Sequence, residues 1–249
     1  MVADLDASCN QNRRVNFDHE ASLFYFDADP LHLSRNVMNT LLPLKPAALH
    51  SLLLATLALL LLISGVHPYD RPTWLLEVAP VLIALPIMLA TNRRLPLTDL
   101  LYCLIFVHAI ILIVGGAYTY ARVPLGFWIQ DWFNLARNPY DKIGHFAQGF
   151  VPALVAREIL LRGKYVAGRK MLSFIVICIA LAISAAYELI EWLSAVILGQ
   201  GADEFLGTQG DPWDTQSDML FALIGAIAAV AFLSRIHDRQ IRRVMPSPQ

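Results

Sequence analysis

Residues 47–66 read AALHSLLLATLALLLLISGV, twenty positions without one Asp, Glu, Lys or Arg. A helix of about that length spans a hydrocarbon core roughly 30 Å thick. Working outward, the same signature recurs at about 74–91, 98–118, 142–161, 171–198 and 215–234. The sequence therefore predicts an all-α, polytopic membrane helix bundle of about six transmembrane helices. Composition agrees: 57% of the 249 residues are hydrophobic and 16% charged, against roughly 45–50% and 25% in soluble domains. The apolar excess needs lipid to hide in.

The same numbers exclude several classes. A net charge of −1 with no basic, aromatic-laced patch argues against nucleic acid as a partner. The three cysteines, Cys9, Cys103 and Cys178, lie far apart and form neither a disulfide framework nor a Cys-based zinc motif. The first apolar run begins too late for a cleaved signal peptide. No P-loop, Rossmann glycine pattern, G-x-S-x-G or H-E-x-x-H occurs.

Connections set the expected orientation. Arg13, Arg14, Arg35, Lys45, Arg93, Arg94, Arg162, Lys164, Arg169, Lys170, Arg235, Arg239, Arg242 and Arg243 fall on one side, against Arg71, Arg122, Arg137 and Lys142 on the other. Both termini are thus expected in the cytoplasm. Residues 1–46 form a cytoplasmic tail with an aromatic patch at 23–26, residues 47–236 the six-helix domain, and residues 237–249 a cytoplasmic C-terminal tail. Trp74, Trp128, Trp132, Trp192 and Trp213 then mark the opposite interface, where residues 126–133 read as a segment lying along the leaflet.

Ionisable residues inside membrane segments are costly and point to function. Asp141, His145 and Gln148 share one stripe of the fourth segment, and Ser184, Tyr187, Glu188 and Glu191 one end of the fifth. Asp211, Asp214 and Asp218 lead into the sixth. Alternating helix directions bring these groups to the same membrane side. Crowded carboxylates repel unless a cation neutralises them. Asp141, His145, Glu188, Glu191, Asp211, Asp214 and Asp218 are therefore candidate ligands for Mg²⁺, Mn²⁺, Ca²⁺ or Zn²⁺, with His145, Glu188 and Glu191 as candidate catalytic groups.

Plainer readings stand beside these. Asp141, Asp211 and Asp214 suit helix N-termini, and Asp203 and Glu204 suit a solvated loop. Arg157, Glu158 and Arg162 read as a surface charge group, while Glu77 and Asp99 read as snorkelling or capping residues. Gly149 and Gly225 suit close helix approach.

The runs DKIGHFAQGF (141–150), YELIEW (187–192) and GTQGDPWDTQSDM (207–219) resemble the YjdF-like family of bacterial inner-membrane proteins, over about residues 47–236. The D-K-x-x-H opening at Asp141, a later glutamate and the Asp218-to-Gly225 spacing are more distantly similar to VanZ-like proteins, linked to glycopeptide-antibiotic tolerance. The resemblance implies an integral inner-membrane protein. The expected function is a metal-assisted hydrolase or transferase in the lipid bilayer, acting on a lipid or envelope-precursor head group. Its alternatives are an ion- or proton-coupled transporter, and a structural protein whose loop 199–214 docks a periplasmic partner.

Overall fold

The computed structural model describes residues 46–198 and 209–245. The N-terminal tail with its aromatic patch, Asp203, Glu204 and most of the 199–214 loop lie outside the described residues. All six expected segments are helices: α1 (Pro46–Val66), α2 (Arg71–Thr91), α3 (Asp99–Tyr118), α5 (Tyr140–Arg162), α6 (Arg169–Leu198) and α7 (Asp214–Ala228). A shorter α4 (Pro124–Phe133) occupies the expected interfacial segment. After α7, a π-helical turn (Ala229–Leu233) leads into α8 (Ser234–Val244). The boundary drawn from hydropathy at residue 236 falls inside this continuous helical rod.

Local chemistry explains the breaks. Asp70 caps α2 by accepting from the Thr73 amide at 2.8 Å, with Pro72 in the first turn. Two further prolines, Pro80 and Pro86, sit inside α2, where neighbouring helices make such breaks tolerable. Thr119 and Asn134, in left-handed conformations, end α3 and α4.

Among the described residues, α1, α2, α3, α6 and the α7–α8 rod are each long and apolar enough to cross a membrane. In α1 only 6% of the spanning window is buried, so this helix lies at the edge of the described bundle. By contrast α5 lies at the centre, packed against α3, α6 and α7. It is long enough to span, with 23 residues, but carries charges at both ends.

Two apolar clusters hold the bundle. One joins α1, α2 and α3 through Leu57, Val78, Val81, Leu112 and Ile113. The other joins α3, α5, α6 and α7 through Leu101, Leu154, Val176, Ala180 and Ala226. The tightest contact is α5 on α7. A Cβ at Gly149 would collide with the Ala222 carbonyl, and one at Gly225 with the Phe146 carbonyl, as the small-residue reading anticipates.

The π turn has a geometric consequence. Asp218 and His237 are 19 residues apart, which at about 100° per residue would leave them about 100° out of phase. A π turn carries one extra residue and removes about one such step. Both side chains thus face α5: Asp218 meets Lys142, and His237 meets Glu158.

Candidate functional site

The α4–α5 connection and the loop before α7 are stapled together. Gln209 Nε2 donates to the Asn138 carbonyl at 3.0 Å, and Gln209 Oε1 accepts from the Asn138 amide at 3.1 Å. Asn138 in turn donates to the Val123 carbonyl and accepts from the Tyr140 amide, both at 3.0 Å. This fixes the first turns of α5 and α7 side by side. Asp211 Oδ1 accepts from the Trp213 amide at 2.9 Å, closing a turn just ahead of α7, whose N-cap position is Trp213.

Lys142 lies at the centre of the acidic residues. Its Nζ donates to Asp214 Oδ1 at 2.6 Å and to Asp218 Oδ1 at 2.5 Å, and stands 3.6 Å from Asp141 Oδ2. Arg137 pairs with Asp211 at 3.0 Å and with Asp214 at 2.6 Å. Two cations of the chain itself therefore neutralise the loop-proximal aspartates. Along the sequence Lys142 is merely the neighbour of Asp141. Only the antiparallel packing of α5 on α7 turns Lys142 towards Asp214 and Asp218.

His145 lies deeper, buried together with Asp141, Glu188 and Asp218. Its Nδ1 is 3.1 Å from Gln148 Oε1. An amide oxygen can only accept, so Nδ1 carries a hydrogen. Nε2 faces Asp141 Oδ1 at 3.4 Å and Asp218 Oδ1 at 3.7 Å, and Glu188 Oε1 is 3.5 Å from Nδ1. These separations exceed hydrogen-bond length. Asp141, His145 and Asp218 each offer a ligand atom within 4.8 Å of the others. Asp141 Oδ2 and Glu188 Oε1 are buried without a hydrogen-bond partner, an arrangement native proteins rarely leave unexplained.

Of the seven sequence candidates, Asp141, His145, Glu188 and Asp218 converge on this point. Asp211 and Asp214 belong to the Arg137–Lys142 layer above it. Glu191 turns towards α2, where it lines a cleft with Glu77 and Tyr187. Glu77, read in sequence as a snorkelling or capping group, accepts instead from the Tyr187 hydroxyl at 3.0 Å. In the α3–α4 connection, burial first and the Glu77 carboxylate next push the Tyr120 phenol well above its usual range, so it remains a neutral hydroxyl.

The opposite end of α5 corrects another expectation. Glu158 is fully buried, and Arg157 nearly so; they are not a surface charge group. Glu158 accepts from the Thr98 hydroxyl at 2.9 Å, from Arg162 at 2.9 Å and from His237 Nε2 at 2.8 Å. Arg157 donates to His237 Nδ1 at 3.3 Å and to Asp238 at 2.6 Å. Sequence spacing along α5 alone could not reveal partners some 60 and 79 residues away.

A lipid-facing helical bundle with charged groups buried at both ends of its central helix is an integral membrane protein. The chain belongs to the family described as "Predicted membrane protein (DUF2238)", which matches residues 49–239. It is 64% identical over 200 residues to the inner membrane protein YjdF of Escherichia coli (strain K12), covering 80% of this chain and 95% of that protein. It is therefore a multi-pass inner-membrane protein of the YjdF type. No solved structure matches it.

Proposed function

We propose that this chain is a membrane-embedded enzyme, a metal-assisted hydrolase or transferase working on a lipid or envelope-precursor head group. The carrying observation is the buried cluster of Asp141, His145, Glu188 and Asp218, in which two carboxylate oxygens lack hydrogen-bond partners. Metal–nitrogen and metal–oxygen bonds of about 2.0–2.2 Å put tetrahedral ligands about 3.4 Å apart. The 3.4 and 3.7 Å separations around His145 Nε2 match that edge. One imidazole among carboxylates suits Zn²⁺ or Mn²⁺ better than Mg²⁺ or Ca²⁺. Asp141, His145 and Asp218 would hold the ion, which supplies Lewis acidity and an activated water. Glu188 stands next to it as general base, and Gln148 holds the His145 tautomer. Asp141, His145 and Asp218 also carry the VanZ-like resemblance.

In this reading six helices span the membrane, both termini are cytoplasmic and the cluster faces outward, as the Lys and Arg distribution favours. Transport has less support. Between His145 and Glu158 the bundle is filled by Ala153, Leu154, Val176, Ala180 and Ala226, and Glu158 is sealed by Thr98, Arg162 and His237.

The test is metal analysis of detergent-purified protein, coupled to turnover of radiolabelled membrane lipid. About one equivalent of a divalent metal in the wild type, lost together with head-group turnover in His145→Ala and Asp218→Asn, is the expected result. Wild-type protein that neither retains nor takes up zinc or manganese, and whose lipid profile His145→Ala leaves unchanged, refutes it.

A further inference from the structure

Beyond the π turn the rod presents a row of arginines. Residues 219–234 carry no charge, and Arg235 follows at once; that uncharged stretch is about 24 Å of helix. Arg239, Arg242 and Arg243 complete the row, and all four arginines are exposed. At about 100° per residue they share one arc of about 100°. The middle of that arc lies roughly opposite His237 and Ile241, the buried residues of α8. Among the described residues none of the four pairs with a carboxylate. Asp238, the acidic residue of α8, is held instead by Arg157 at 2.6 Å and Arg169 at 3.6 Å. The helix is also fixed in rotation. His237 Nε2 stands 2.8 Å from Glu158 Oε2, and Gln240 Oε1 accepts from the Leu100 amide at 2.9 Å. At the edge of the arginine arc lies Ile236, with Phe232 about one turn before it; they are 43% and 76% exposed.

We propose that the arginine face of α8 binds the phosphates of anionic phospholipids in the adjacent leaflet. Its position fits that ligand, because the arginines begin where the uncharged stretch of the rod ends, and basic clusters next to a membrane span attract anionic head groups. Its chemistry fits as well: a guanidinium holds a phosphate with two parallel hydrogen bonds. Phe232 and Ile236 offer apolar surface beside the charges, as an amphipathic ligand needs and a free phosphate does not. The anchored helix has little freedom to lose on binding, which favours affinity. In the orientation proposed above this is the cytoplasmic leaflet. The inference does not depend on the enzyme reading.

The test titrates phosphatidylglycerol or phosphatidylethanolamine into the full chain in detergent and reads bound lipid by native mass spectrometry. Wild-type protein is expected to bind phosphatidylglycerol the more tightly. Each arginine at a membrane surface contributes roughly fivefold, so Arg235→Gln/Arg239→Gln should weaken phosphatidylglycerol about 25-fold. Its affinity for phosphatidylethanolamine should stay within about twofold, and raising the ionic strength to about 0.5 M should erase most of the difference. If that variant melts below wild type, Arg242→Gln/Arg243→Gln, nearer the helix end, provides the same comparison. Arg93→Gln/Arg94→Gln, which removes two exposed arginines from the α2–α3 connection, should leave the affinity within about threefold. An equal loss there would show that net charge suffices, and would overturn the assignment to α8. Equal wild-type affinities for the two lipids overturn the inference and leave the face to an acidic protein segment. Displacement of phosphatidylglycerol by an equal concentration of inorganic phosphate would overturn the lipid as the source.

Discussion

Replacing Lys142 with methionine keeps most of the side-chain volume and removes only the charge. In the wild type its ammonium contacts Asp214 at 2.6 Å, Asp218 at 2.5 Å and Asp141 at 3.6 Å. Asp214 would retain Arg137, at 2.6 Å. Asp218, only 2% exposed, would be left facing Asp141 with His145 as its remaining neighbour, at 3.7 Å. Stranding one partner of a buried ion pair costs about 3–5 kcal/mol. For a domain of about 200 residues, each kcal/mol moves the melting midpoint by roughly 2–4 °C, so Lys142→Met should melt about 6–20 °C lower. The assay is intrinsic tryptophan fluorescence of purified protein in detergent. Adding Asp218→Asn removes the stranded charge and should recover at least half of the loss. A midpoint within 2 °C of wild type, or a double variant less stable than the single, would refute the account of Lys142 as the internal counter-ion.

Gly149→Val should cost at least the roughly 1–3 kcal/mol of ordinary overpacking, because the added carbons meet the Ala222 carbonyl. Loss of the monodisperse peak in size-exclusion chromatography would report it, whereas wild-type behaviour would mean that α5 and α7 are not so close. Glu158→Ala removes the acceptor of Thr98, Arg162 and His237, and should lower the melting midpoint further than Asp99→Ala. Asp99 is half-exposed and bonded to His50 at 3.0 Å, a surface pair of little value. Equal midpoints for the two variants would contradict the buried network.

The membrane fold was legible because it depends on composition over windows of twenty residues, a signal that neighbours do not alter. The short α4 was legible from its aromatic run, and Trp128, Trp132 and Phe133 remain 59%, 75% and 71% exposed. The site was legible only by end and stripe. Asp141, His145, Glu188 and Asp218 could be placed at one end of the bundle from helix direction, and they do meet. The facing of a side chain needs rotation and partner identity, which a single helix does not encode. Glu191, one turn from Glu188, lines the neighbouring cleft with Glu77 and Tyr187. Lys142 counted only towards orientation, and Glu158 passed for a surface charge.

The two charged layers answer a question that neither answers alone, namely why α7 and α8 carry a π turn between them. The helix must offer Asp214 and Asp218 to Lys142 at one end of α5, and His237 and Asp238 to Glu158 and Arg157 at the other. A regular helix would rotate one set away by about 100°. Between the two ends, Gly149 and Gly225 bring the backbones into contact, so the pair cannot twist to compensate. The extra residue of the π turn is placed beyond that crossing, at Ala229–Leu233, where it corrects the phase of the Glu158 end without disturbing Asp218. The His145 cluster is thus held by a helix pair fastened at three levels, and that rigidity is what a preorganised site requires.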